Sequence, residues 1–525
     1  MALDKPSSAG TSESRADVPD AVQLFGDVIR RVQWSGKGAS LERRPRVAIV
    51  SSHAGMAVCY SHVPALAEIV SQEVSLAGGL GIVIPTAAPC DALYFANGQG
   101  PRLADSFDRI VADVESAVRG AELDAVVLLS SCDTTTPAHL VAAARINVPT
   151  VVLACGYQRP GAIDGRRVDL LEVYEAIGAA MTRRIPLKRL QDMADDCVTS
   201  PGVCPGFGTA TTMHMVCEAL GLSLLGQSPV AGGSTRLHSH ARAAGRAIVE
   251  VAGRNLRPRE ILTVAAITDA VRLVLSIGGA PSSLRFLQRL SDELGLRDDA
   301  GAPLDVRSVA ERQAETMRQI CFVAPCGDVP VEAFEEAGGA VQALKRISGE
   351  LTLDRPSVSG ATFGSALGAI EHIESGLFGA EAFVGDFAVG DPGLMVLHGS
   401  LAPGGGIARP GATGSNLRRF TGAAVVLDNS TQAFEALREG RIAPGTALVI
   451  RGGGIDDFAC ALHGAGLSDS VALLSDGGFS GLSRGMCVGY ILPSAKDGGP
   501  IARLVDGDRI DIDLDARTVD ASSNR

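Results

Sequence analysis

Between Arg44 and Gly156, short and almost wholly apolar runs alternate with amphipathic stretches, and this alternation limits the fold more than any other feature of the chain. PRVAIVSSHAG reads as a buried strand entering a turn, VPALAEIVSQEVSLAGG as a helix ended by glycines, and LGIVIPT as a second strand. SFDRIVADVESAVRG is a helix, DAVVLLSSCD a third strand, PAHLVAAARIN a helix and VPTVVLACG a fourth strand. Strands that are apolar throughout are buried on both faces, which places them in a parallel sheet covered by helices. The pattern continues, richer in helix, to about residue 370. Beyond it come short apolar runs punctuated by glycine, such as GAAVVLD, GTALVIRGGG, VALLSDGGFSG and MCVGYILP, which predict a mostly β, barrel-like domain. The expected division is a polar tail and lead-in over 1–40, an α/β domain over 41–372 and a β-barrel-like domain over 373–525. Residues 1–20 of the tail are read as mobile.

Charge and composition exclude several functions. The net charge of -12, without a long basic run, argues against nucleic acid as a partner. No apolar run reaches the roughly 18 residues of a membrane span, and the first twenty residues have no apolar signal region, so no membrane role is expected. Eleven cysteines in 525 residues are too sparse and too scattered for a disulfide framework, which predicts a reducing cytoplasm and thiols free to bind metal. Aromatic residues at 4% and 62 glycines suit a small-molecule enzyme better than a stacking platform.

Open α/β sheets bind ligands beyond the carboxyl ends of their strands, so the residues that follow each strand are the first to inspect. Cys59 follows the first strand, Cys132 the third, and Cys204 lies in the glycine-rich loop PGVCPGFGTATTM before a helix. They stand more than seventy residues apart with no CxxC pair, so spacing alone leaves two readings open, packed thiols or metal ligands. Cys90, adjacent to Asp91, reads as a packed thiol, with an approach to the other cysteines as the alternative. The histidines 62, 139, 214, 398 and 463 form no zinc spacing and read mostly as surface or packed residues. The glycine pairs at 278–279 and 338–339 form neither a P-loop nor a dinucleotide fingerprint, and no nucleotide cofactor is indicated.

From about residue 44 onward the chain resembles the family of dihydroxy-acid and 6-phosphogluconate dehydratases, which includes sugar-acid dehydratases. Cys59 with His62 resembles the family's PCxxHL element, SCDTTTP at 131–137 its NCDKxxPG, and GVCPGFGTATTM at 202–213 its GSCxGMxTANTM. SIGGAPSS, EEAGGA, VLHGSLAPGG and LLSDGGFSG resemble, in order, LGGSTN, RAGGV, VLxGNLAPxG and ITDGRFSG. The resemblance implies an α/β domain followed by a barrel-like domain, and a homodimer. It implies a two-iron or four-iron cluster held by Cys59, Cys132 and Cys204, with Ser480 as the base. It also implies magnesium on Asp91 and Asp133, and a His398 that faces the site from the HGSLAP turn.

Around the substrate and magnesium the chain departs from the family. The ligand lysine is Thr134, the arginine of GRFSG is Gly478, the histidine of GHxxPEA is Tyr490 and its glutamate is Ser494. The glutamate of GPxGxPGMxEM has no counterpart in RGGGIDDFACAL, where Asp456 and Asp457 are the candidates to replace it. The expected function is a cluster-dependent hydro-lyase that converts a 2,3-dihydroxy acid or sugar acid to a 2-oxo acid, with an altered substrate or magnesium site. The alternative is a noncatalytic or redox-sensing iron-sulfur paralogue.

Overall fold

Four runs from the first third of the chain, each too apolar to leave either face in water, pair as a parallel sheet. They are β1 (Arg46–Ser52), β2 (Leu80–Thr86), β3 (Ala125–Ser130) and β4 (Thr150–Ala154), in the order β2-β1-β3-β4. The computed structural model describes residues 21–34, 44–360, 362–370, 382–383, 388–410 and 417–523. β3 is buried along its whole length, whereas β2, at the edge, alternates between covered and open positions. The chain steps from β1 outward to β2 and returns to the other side of β1 as β3. The carboxyl ends of β1 and β3 therefore flank a topological switch point, where such sheets open a binding crevice. A two-stranded ribbon, β5 (Gly161–Ile163) with β6 (Arg166–Val168), follows, and then a largely helical stretch.

The second sheet has eight strands: β7 (Met395–Leu397), β8 (Gly406–Ala408), β9 (Arg419–Leu427), β10 (Thr446–Ile450), β11 (Ala472–Ser475), β12 (Cys487–Gly489), β13 (Arg509–Asp513) and β14 (Thr518–Ser522). They run in the order β14-β13-β9-β10-β11-β12-β8-β7, and a bridge between His398 and Thr518 joins the two edge strands into a nearly closed barrel. One difference from the expected mostly β domain is that β9 to β12 are parallel, with helices Ser430–Arg438 and Asp456–Gly464 covering them. Ala447, Val449, Ala472 and Leu474 face the barrel interior, while Leu448, Ile450 and Leu473 pack under those helices. Apolar residues on both faces are what a parallel, helix-covered strand requires.

Pro45–Arg525 forms one compact unit. A separate unit holds helix Ala21–Trp34, which carries exposed Leu24, Phe25, Val28, Ile29 and Val32. Residues 1–20 and the expected boundary at 372–373 lie outside the described residues. No helix among the described residues is long and apolar enough to cross a membrane.

Candidate active site

Each strand of the first sheet delivers residues to one crevice. After β1 the chain turns through a single 3-10 turn, Val58–Tyr60, which carries Cys59. The Tyr60 hydroxyl donates to the Pro89 carbonyl, and the Ser131 hydroxyl donates to the Cys59 carbonyl at 3.1 Å, so the ends of β1, β2 and β3 are fastened together. Cys132 opens the turn after β3, where its carbonyl accepts from the backbone N–H groups of Thr135 and Thr136. The Cys204 loop is pinned to the end of β4, with Val203 N–H donating to Gly156 O and Gln158 N–H to Val203 O. Gly202, at φ +127°, sits where a Cβ would lie 2.5 Å from the Tyr157 carbonyl carbon, so only glycine permits this approach.

Cys59, Cys90 and Cys132 form one buried patch with Tyr60 and Ala88. Hydrogen bonds from Cys59 to Cys132 and Cys90 hold its proton and push its pKa up, and the same contact draws Cys90 down to about 7. Cys132 accepts help from Cys59, yet burial and the charges of Asp91, Asp133 and Cys90 raise it on balance. Cys204 is half-buried, raised by desolvation and by the charges of Cys132 and Asp133, and its thiol takes a hydrogen bond from Tyr174. The predicted thiols thus share one neighbourhood, together with Cys90, for which the sequence leaves both packing and an approach to these cysteines open. Its position directly after β2 is the same signal that singled out the others.

Beside the thiols lie carboxylates. Asp91 is half-buried, with Oδ2 accepting from the Thr134 hydroxyl at 2.7 Å, while Oδ1 is shielded from solvent and has no hydrogen-bond partner among the described residues. Thr134, where the family has a lysine, therefore supplies a donor rather than a ligand. Desolvation raises Asp91 to about 6. Asp133 accepts from Ala210 N–H at 2.9 Å, in the first turn of helix Thr209–Leu220, and is raised by desolvation and then by the charges of Asp91 and Asp456. Among the described residues no three His, Cys, Asp or Glu side chains converge as the shell of a single ion. What the crevice offers is a group of thiols and, beside it, a group of carboxylates, one with an unpaired oxygen.

The second domain closes the crevice with the loop Asp476–Met486. β11 and β12 are parallel and need a long crossover, which this irregular segment provides in place of a helix. Gly481 packs so tightly on the Cys204 loop that a Cβ there would lie 1.7 Å from Phe207 O. Buried Arg409 donates to Gly278 O at 2.6 and 2.9 Å and to Gly481 O at 2.6 Å, tying the loop to the first domain. Ser480 is half-buried, and its Oγ accepts from Leu482 N–H at 3.1 Å. Of the two candidate aspartates, Asp456 turns to Ser480, accepting from its N–H at 2.5 Å and bonding its hydroxyl, whereas Asp457 is exposed and accepts from Phe458 N–H at 2.8 Å.

Arg285 is exposed on helix Ser282–Leu294, close enough for its charge to act on Asp91 and Tyr490, and forms no hydrogen bond or ion pair among the described residues. No motif marks it in sequence. His398 instead pairs with Glu311, Nε2 to Oε1 at 2.9 Å. His139 and His214 are core residues held neutral by burial, bonded to the serines at the end of β3 and just beyond.

The dihydroxy-acid/6-phosphogluconate dehydratase N-terminal family profile matches residues 44–366 and its C-terminal counterpart residues 386–525. Dihydroxy-acid dehydratase of Methanosarcina barkeri is 33% identical over 488 residues, covering 91% of this chain and 87% of the relative. That of Ignicoccus hospitalis is 33% identical over 513 residues, covering 93% and 89%. The Caldicellulosiruptor saccharolyticus enzyme is 30% identical over 498 residues, covering 91% and 87%. Matched in both halves and along most of its length, the chain belongs to the dihydroxy-acid/6-phosphogluconate dehydratase family and is a hydro-lyase.

Proposed function

We propose that the protein dehydrates a 2,3-dihydroxy acid or sugar acid to a 2-oxo acid, with an iron-sulfur cluster on Cys59, Cys132 and Cys204 and magnesium on Asp91 and Asp133. The observation that carries this reading is the meeting, at the switch point of one sheet, of a buried thiol patch, a carboxylate with an unpaired shielded oxygen, and the Ser480 loop of the other domain. Soft thiolates suit iron and hard carboxylates suit magnesium, which completes its shell with water. When bound, the cluster supplies a Lewis acid for the departing hydroxyl, and magnesium neutralises the substrate carboxylate and acidifies the hydrogen on C2.

The remaining work falls to this chain's side chains. Ser480 Oγ, held by Leu482 N–H, takes the C2 proton. Arg285, whose guanidinium has no hydrogen-bond or ion-pair partner among the described residues, anchors the carboxylate of the substrate. Tyr490 fills the wall where the family carries an arginine at 478, so the pocket takes a substrate other than the branched-chain or phosphogluconate acids. We extend the proposal to a cytoplasmic homodimer with no nucleic-acid or membrane partner.

Anaerobic purification followed by iron, sulfide and absorption measurements tests the cofactor. A panel of 2,3-dihydroxy and sugar acids, with semicarbazide to trap 2-oxo products, tests the reaction. Replacing Cys59, Cys132 or Cys204 by Ser should bleach the visible absorption, and Ser480→Ala should abolish turnover with the absorption intact. A colourless wild-type protein, or a cluster-loaded one inert towards every acid, would overturn the reading.

A further inference from the structure

We infer that Asp456 is the proton-accepting partner of Ser480, a positioning residue that acts through the serine and replaces the cationic support this chain has lost. A serine is a poor base unless something favours loss of its proton. At the positions where the family carries a lysine and an arginine near its base, this chain has Thr134 and Gly478. Asp456 stands in the first turn of helix Asp456–Gly464 and reaches Ser480 twice, accepting from the backbone N–H and from the hydroxyl. The first bond fixes the loop, and the second points the serine's proton at a carboxylate. Leu482 N–H then donates to Ser480 Oγ from another direction, where it supports negative charge on that oxygen as the proton leaves. Serine, backbone donor and carboxylate acceptor make a relay that needs no nearby cation.

The proposal rests on the dehydratase reading, and the step balances as follows. The C2 proton passes to Ser480 Oγ as the serine's own proton passes to Asp456. The C2–H electron pair becomes the C2=C3 double bond, the C3–O bond breaks with its pair on oxygen, and hydroxide takes the proton back from Asp456 as it leaves as water. The enol then gains a proton on carbon from solvent, and its hydroxyl proton returns to solvent, giving the 2-oxo acid.

Asp456→Asn keeps an oxygen for the Ser480 N–H but cannot take a proton. It should lower kcat by about 10²- to 10⁴-fold with KM and the magnesium requirement unchanged. Asp456→Ala should lose as much and regain about tenfold on addition of formate, a carboxylate small enough for the vacated space. An Asn variant that keeps more than a third of kcat, a magnesium requirement shifted more than tenfold, or an Ala variant that formate does not rescue would overturn the proposal. A second readout uses no substrate: a small alkyl fluorophosphonate should label Ser480 in the wild type and fail to label it in Asp456→Asn, read by peptide mass. Equal labelling, or none in either protein, counts against the pairing. Asp456-dependent labelling in a cluster-loaded protein inert to every acid would sink the dehydratase reading and leave the pairing standing.

Discussion

Two departures from the family, Gly478 and Tyr490, occupy a single space. A Cβ on Gly478 would lie 2.7 Å from the Tyr490 hydroxyl and 2.9 Å from two of its ring carbons. Tyr490 itself sits at φ +54°, a left-handed conformation that costs a non-glycine residue roughly 1 kcal/mol or more, and its hydroxyl donates to Phe479 O at 3.2 Å. Gly478→Ala should therefore cost about 1–3 kcal/mol through overpacking. In a Tyr490→Gly background, where the ring is gone, the cost should fall by more than half. Denaturant unfolding of the four proteins gives the coupling, and a value under about 0.5 kcal/mol would show the two sites to be independent. In sequence each change reads only as a loss, because twelve residues and a loop separate them. The choice between Asp456 and Asp457 was hidden for a similar reason: neighbouring residues at a helix start point in different directions, and only the packed loop shows which one meets Ser480.

At the scale of elements, the crossover between β11 and β12 depends on Arg409. Its guanidinium is almost wholly buried, 1% exposed, and satisfies carbonyls of both domains without a carboxylate partner among the described residues. Arg409→Met keeps much of the volume but leaves Gly278 O and Gly481 O unpaired, at about 1–3 kcal/mol each. The cysteines hang on other elements, so cluster absorption should survive while kcat falls at least tenfold and protease cleavage within 476–486 accelerates. Unchanged turnover and cleavage would show that the loop is held by packing alone. The strands of the first domain were legible because a strand buried on both faces needs an unbroken apolar run. The helices Ser430–Arg438 and Asp456–Gly464 were not, since each is short and the glycines around them signal turns more strongly than nine residues signal a helix. The same apolar runs that suggested the barrel-like domain, LVI and ALL, are also those of parallel strands covered on both faces.

For the molecule as a whole, gathering half-buried acids into one crevice has a cost that pH reveals. Asp91 and Asp456 are each raised by desolvation from 3.8 to about 6, so between those values the folded protein holds more protons than the unfolded chain. Their contribution to stability is present at low pH and is lost as pH rises through the folded values. Buried histidines work the other way: His139 is lowered by burial to about 3 and His214 to about 4, so stability falls as pH drops below 6.5. A simple melting curve against pH mixes the two, and a difference between variants separates them. Asp91→Asn cannot ionise, and its amide oxygen can take the place of Oδ2 and accept from the Thr134 hydroxyl. In metal-free protein the stability of the variant relative to the wild type should grow by about 1–2 kcal/mol between pH 5 and pH 7.5, as the wild-type carboxylate is forced to ionise in a desolvated place that the Arg285 charge only partly offsets. Magnesium added at pH 7.5 should raise the wild-type melting temperature and leave that of the variant nearly still. An unchanged difference between the two pH values, or an equal gain from magnesium in both proteins, would mean that Asp91 neither carries the strain of the crevice nor faces the cation.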